Sequence, residues 1–292
     1  MNIGKFREFL ELIGHKVIAS ESGYWCEMIG LFYERIPFYE TINPGEGELE
    51  NLFRKHYLVG VTYRTLRDNK GKRSFVHLCD DKPYNLESLH PKMRNKVRQG
   101  LRNCVVRQID FDYLHEHGMP LNRDSLRRQG RDEPVFTRGA RWRQFCNAGK
   151  QVEGTAAWGA FVDNHLAAYM VTFVTDEYCS ILYQMSRTEL LPYKTNNALT
   201  YAVTKEMLSS PRISHVSYGR ESIRDLPGLT EYKTRLGYKK RPVNCVVVLH
   251  SLLRPLLLAR FSDKLLGALS RLGVNNDVLK RVRAIADIVK QS

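Results

Sequence analysis

The alternation of hydrophobic and polar positions changes rhythm several times along the 292-residue chain, and each change marks an element. Phe6, Leu10, Ile13 and Val17 recur at helical spacing and predict a short amphipathic helix at the N-terminus. Residues 57–64 and 74–79 are β-branched and aromatic, with the turn-forming run Asp68-Asn69-Lys70-Gly71 between them, and predict an antiparallel pair. From Asn85 the period becomes helical, with Met93, Val97 and Leu101 on one face and Lys92, Arg94, Lys96, Arg98 and Arg102 around the rest. A short strand over 104–107 follows. Between Arg123 and Arg143 the charges fall at irregular spacing around Gly130, Pro134 and Gly139, which predicts a loop with a short helix ending near Phe145.

The most regular stretch begins at Ala156. Residues 156–162, 166–174 and 178–185, separated by turns at Asp163-Asn164-His165 and Thr175-Asp176-Glu177, predict a three-strand meander. Pro192 lies in the next loop, and Asn196 or Asn197 supplies a cap for a helix through Leu199, Val203 and Leu208. A strand over 215–218 ends in Gly219. A helix from Leu229 to Leu236 stops at Gly237, and a last strand covers 243–250. Residues 251–292 keep helical spacing on either side of Gly273 and Asn275-Asn276, which fits a helical hairpin.

Composition narrows the classes. A hydrophobic fraction of 43% can fill a core, which excludes a disordered chain. No run approaches the roughly 18 apolar residues of a membrane-spanning helix, and the charged start shows no signal peptide. The six cysteines are scattered without a C-x-x-C pair, so a reduced, cytoplasmic protein without a metal site or disulfide framework is expected. Gly219-Arg220-Glu221-Ser222 lacks the Gly-x-Ser-x-Gly elbow of serine hydrolases.

Charge changes the picture more. Lys and Arg number 45 against 31 acids, a net +14, and the excess is local: −5 over residues 1–50, +7 over 92–143 and +5 over 251–292. An anionic partner therefore meets the middle of the chain and the tail first. The basic amphipathic tail suits peripheral contact with an anionic membrane, or packing back onto the protein.

Three pieces, in order, carry a family resemblance. They are the helix lead-in Pro192-x-x-x-Asn196-Asn197-Ala198-Leu199, the strand end Val216-Ser217-Tyr218-Gly219, and Tyr232-Lys233-x-x-x-Gly237-Tyr238. Together with the meander they resemble the core of the GNAT N-acyltransferase superfamily, and more narrowly its FemAB-like branch. The last piece is similar to that branch's Phe-Lys-x-x-x-Gly-Phe signature, with tyrosine for each phenylalanine. The basic run Lys92-x-Arg94-x-Lys96-x-Arg98 is similar to the Lys/Arg-rich helix near the join of that branch's two halves.

The resemblance implies an α/β (α+β mixed-sheet) fold of two tandem GNAT-like halves. Residues 1–22 would be an N-terminal helix, 23–107 the first half, 108–250 the second and 251–292 a helical tail. It implies transfer of an acyl group from a phosphate-bearing co-substrate, acyl-CoA or aminoacyl-tRNA, to an amine of a cell-envelope or polysaccharide precursor, with no permanently bound cofactor and no metal. A non-enzymatic binder of nucleic acid or membrane is the reading that charge alone would give, and no nucleic-acid-binding motif accompanies it.

By the same resemblance the acyl group lies where Tyr183 to Met185 part from Val216 to Gly219, Gly219 allowing close approach of the backbone. Lys194, Asn196 and Asn197 face the donor, Lys233 supplies positive charge and Tyr218 a proton, and Arg94, Arg98, Arg220 and Tyr232 contact substrate. Each has a plainer alternative: Lys233, Arg94 and Arg98 as solvated charges, Tyr218 and Tyr232 as core aromatics, Asn196 and Asn197 as caps. One departure bears on the donor. Acyl-CoA-using GNAT enzymes place glycines before the long helix, and Leu190 to Asn197 contains none.

Overall fold

A computed structural model of the protein describes residues 3–220 and 227–251. Helix α1 (Ile3–Leu12) precedes strands β1 (Val17–Ser20), β2 (Gly23–Ile29) and β3 (Phe32–Ile36). Helix α2 (Glu46–His56) leads to strands β4 (Gly60–Thr65) and β5 (Lys72–Cys79). Then come helix α3 (Pro91–Asn103), strand β6 (Val105–Ile109) and helices α4 (Phe111–Gln129), α5 (Pro134–Thr137) and α6 (Gly139–Gln151). Strands β7 (Thr155–Val162), β8 (His165–Thr175) and β9 (Tyr178–Ser186) follow, then helix α7 (Thr195–Ser209), strand β10 (His215–Arg220), helix α8 (Pro227–Arg235) and strand β11 (Lys239–Leu249).

The chain divides into two compact units. Among the described residues the larger gathers 3–14, 77–219 and 227–240; the smaller gathers 15–76, 220 and 241–251. Residues 77–107, placed by sequence with the first half, lie in the larger unit. The 252–292 tail and its membrane contact lie outside the described residues.

In the larger unit the strand order is β10-β9-β8-β7-β6, with the end of β5 beside β10. The β7-β8-β9 meander is antiparallel and β9 runs parallel to β10 through the α7 crossover. In the smaller unit β1, β2 and β3 are antiparallel, β3 runs parallel to β4 through α2, and β11 pairs antiparallel with β4. Each unit therefore repeats a three-strand meander, a helix and a parallel strand.

Core packing explains the larger unit's layers. Helix α7 carries buried residues around its whole circumference, including Ala198, Leu199, Thr200, Tyr201 and Val203, so it lies covered between the sheet and α3. Gly100 of α3 makes that contact: a Cβ there would lie 2.7 Å from the Lys194 carbonyl oxygen and 3.0 Å from the Ala198 Cβ. On the opposite sheet face an aromatic cluster joins α1, α5 and α6 to the strands, with Phe6 against Phe173 at 4.9 Å and Phe136 against Tyr183 at 4.8 Å.

Four sequence expectations change. Val17 belongs to β1, and α1 buries Phe6, Phe9 and Leu10. β4 and β5 do not pair, because β11 lies between them; a partner from so far along the chain leaves no local mark. The irregular charges of 123–143 hide α4, capped by the Asp110 carboxylate accepting from Tyr113 N at 2.6 Å and ended by Gly130 in the left-handed region. Finally, the N-cap of α7 is Lys194, itself left-handed at φ 61°, and Asn196 and Asn197 sit inside the first turn.

Candidate active site

β9 and β10 pair at Tyr178↔His215, Cys179↔Val216 and Ser180↔Ser217, and the ladder then ends although β9 runs to Ser186 and β10 to Arg220. A bulge accompanies the parting. Val171 pairs with Tyr183 and Thr172 with Ile181, so Leu182 has no partner on β8.

The extra residue reverses the alternation of side chains. Cys179 and Ile181 join the core shared with α7, and past the bulge Gln184 and Ser186 take that face, each bonded to the Asn196 side chain at 3.2 Å. Tyr183 turns to the opposite face, edge-on to Phe136 and Phe145, and Met185 shares that side, opposite Tyr169. Their backbone lines the parting; the β9 side chain that reaches across it is Gln184.

The Tyr218 hydroxyl donates to Gln184 Oε1, and the Thr200 hydroxyl donates to the same oxygen at 3.3 Å. The Tyr232 hydroxyl donates to the Asn196 carbonyl at 3.0 Å and lies 3.2 Å from Thr200 Oγ1. Asn196, Thr200 and Thr204 stand one turn apart on α7, the last bonded to the Tyr238 hydroxyl at 2.6 Å. One polar stripe of α7 thus meets β9, β10, α8 and the start of β11. Burial pushes the Tyr218 hydroxyl up to about 12, so it stays protonated across the working range.

Lys233 approaches from α8. Only 6% exposed, it donates from Nζ to the Tyr218 carbonyl at 2.6 Å and sits 4.8 Å from the centre of the Tyr218 ring. Gly219 follows at φ +79°, and a Cβ there would lie 3.5 Å from Nζ. Burial lowers the Lys233 pKa to about 8, which leaves it mostly protonated at pH 7. His77 of β5 lies in the same neighbourhood. Burial first, then the charges of Lys233 and Lys240, lower its pKa to about 4, against an opposing backbone interaction with Gly219.

The expected residues are distributed unequally. Tyr218, Gly219, Tyr232, Lys233 and Asn196 come together. Asn197 donates instead to Met93 Sδ at 3.0 Å, in the core. Arg94 clamps a turn, its guanidinium donating to the carbonyls of Leu86 at 2.8 Å, Glu87 at 3.3 Å and Leu89 at 3.4 Å. Arg98 is exposed on α3, Lys194 is half-buried, and Arg220 is described by its backbone alone. Gln184, Thr200 and His77 were not singled out by the sequence; for His77 the signal was strand parity with the core residue Cys79.

Among the described residues no cluster of His, Cys, Asp and Glu could hold a metal. The six cysteines are buried and free, and desolvation pushes the Cys179 thiol, for one, up to about 12, far from a reactive thiolate.

The fold is mixed α/β, each unit repeating a three-strand meander, a helix and a parallel strand, and it is FemX-like. Among solved structures it is similar to FemX, with a TM-score of 0.58 at 10% identity over 87% of this chain and 93% of that one. It is also similar to L-PGS from Bacillus licheniformis, at 0.54 and 13% over 83% and 90%. A conserved protein of unknown function from Bacteroides thetaiotaomicron gives 0.57 at 9% over 84% and 88%. At such identities the likeness is one of fold. No family model and no curated protein matches the sequence.

Proposed function

We propose that the protein transfers an acyl group from a phosphate-bearing donor to an amine of a cell-envelope or polysaccharide precursor, at the parting of β9 and β10. The observation that carries this reading is the buried Lys233 ammonium beside Tyr218 and Gly219, where the two strands have separated. An acyl carbonyl laid in the parting meets backbone left unpaired by the strands, and Lys233 supplies positive charge as its oxygen becomes an oxyanion. The neutral amine attacks, the new C–N bond forms, and the bond to the donor breaks as the leaving group takes a proton. Tyr218, protonated and held by Gln184, is the group placed to give it, and the proton that the attacking nitrogen sheds as the amide forms restores the Tyr218 hydroxyl.

A second reading concerns the donor. Helix α3 packs with Gly100 against the Lys194 carbonyl and Ala198 of α7, and no glycine loop precedes α7, so the glycines that let a backbone cradle close on a CoA pyrophosphate are missing. This favours an aminoacyl group carried on tRNA. The test is binding and transfer with acetyl-CoA and with charged tRNA, each against a primary-amine acceptor. Transfer from charged tRNA alone supports the second reading and transfer from acetyl-CoA removes it. Saturable binding of neither donor removes the transferase reading.

A further inference from the structure

One turn of α4 reaches the end of β9. Ser125 and Arg128 lie three residues apart and share a helix face. Ser125 is fully buried; its hydroxyl donates to the Ser186 carbonyl at 2.9 Å and accepts from Ser186 N at 2.8 Å. The backbone of the last β9 residue is thereby tied at both its polar groups. Arg128 takes the Ser186 side chain. Its Nη2 donates to Ser186 Oγ at 3.0 Å and to Ser125 Oγ at 3.4 Å, and Nη1 donates to Thr188 Oγ1 at 2.5 Å and to the Ser186 carbonyl at 3.4 Å.

An arginine on a surface is ordinarily left to water or paired loosely with an acid. Arg128 is exposed, yet among the described residues it makes no ion pair and spends its donors on three hydroxyls and a carbonyl. The neighbouring Asp124 carboxylate accepts from Thr188 instead, from N at 2.6 Å and from Oγ1 at 2.8 Å.

From Ser186 a line of hydrogen bonds continues inward. Asn196 Nδ2 donates to Ser186 Oγ at 3.2 Å, Gln184 Nε2 donates to Asn196 Oδ1 at 3.2 Å, and Gln184 Oε1 accepts from the Tyr218 hydroxyl. Each link is a hydroxyl or an amide that can turn about its own side-chain torsions, and each is held by the one before it. The two amides do not titrate, so the line carries orientation and not protons.

We infer that Arg128 is a positioning residue for Tyr218, acting through Ser186, Asn196 and Gln184 to aim the Tyr218 hydroxyl at the parting. The inference rests on the reading of Tyr218 as the proton donor. Arg128 touches no reacting atom, so its removal slows the chemical step and leaves substrate binding alone.

The test compares Arg128→Ala with Arg123→Gln, which removes the same charge from another exposed position of α4, with thermal melts to confirm folding. In Arg128→Ala the side-chain amide NMR signals of Gln184 and Asn196 move; in Arg123→Gln they stay. With charged tRNA or acetyl-CoA as donor, kcat of Arg128→Ala falls about tenfold, the cost of a looser hold on the acid. KM for the amine is unchanged, and millimolar guanidinium ion restores part of the rate. In a Tyr218→Phe background the same change costs nothing further. Gln184 signals that Arg128→Ala leaves in place overturn the proposal. So does an equal fractional loss of kcat in the Tyr218→Phe background. A wild-type chain that transfers from neither donor overturns the transferase reading instead, and the amide signals still decide whether Arg128 holds Gln184.

Discussion

The two units contain the same junction built two ways. In the smaller unit β3 and β4 pair in parallel at Phe32↔Gly60, Tyr33↔Val61 and Glu34↔Thr62 and then separate, as β9 and β10 do after three pairs in the larger unit. In the smaller unit the parting is filled. Glu34 and Arg64 form a buried ion pair there, and the segment between β3 and α2 runs along the end of β4, with Ile42 N donating to the Arg64 carbonyl at 2.8 Å and the Thr65 hydroxyl to Asn43 Oδ1 at 2.6 Å. In the larger unit the parting is crossed by a single side-chain bond, Tyr218 to Gln184, and flanked by Gly219 and one buried cation whose bond is to a backbone carbonyl. The filled junction spends its charges on each other; at the open one Lys233 makes no ion pair among the described residues, and the proposed function uses that charge.

The largest expected effect breaks the filled junction. Arg64→Met removes the guanidinium paired with the buried Glu34 carboxylate and should cost about 3–5 kcal/mol of stability, read by denaturant unfolding, with the folded fraction keeping its transfer rate. Lys233→Met should do the reverse: kcat/KM falls roughly 10²–10³-fold, while the thermal midpoint is not lowered. Gly219→Ala forces a side chain to φ +79° and should cost about 1–2 kcal/mol together with activity. Tyr218→Phe removes the donor across the open parting, and Gln184 keeps Thr200, so stability should fall by about 1 kcal/mol.

The smallest effect is one of pH and belongs to the larger unit. His77 has a folded pKa depressed from 6.5 to about 4. The unfolded chain therefore binds the extra proton first, and stability declines as pH falls from about 6.5 towards 4. That part of the acid slope should disappear in a folded His77→Gln chain.

What the sequence shows of this comparison depends on the range of the interactions involved. The β7-β8-β9 meander and the β10-α8 signature were legible because alternation, turns and the Tyr232-Lys233 pair are local. The bulge at Leu182 was not, since one extra residue has no mark in a run of strand formers, yet it decides that Gln184 and not Tyr183 faces α7. Arg94 and Arg98 read alike on a basic helix; only the carbonyls of Leu86, Glu87 and Leu89 distinguish a clamp from a free charge. Helix α4 was obscured by Gly118 and Pro120 within it, although a Cβ at Gly118 would lie only 2.8 Å from the Trp142 ring and the glycine is there for packing.

The central claim is that the protonated Lys233 ammonium in the open parting promotes transfer. Its most direct test is the ratio of wild-type to Lys233→Met transfer rates measured across pH, in which ionisation of the acceptor amine cancels. Lys233 loses its proton as pH rises through about 8, so the ratio should be large and flat below that pH and fall towards unity above it, about tenfold for each further pH unit. A ratio near unity throughout, or a large one that does not change across pH 8, would contradict the account.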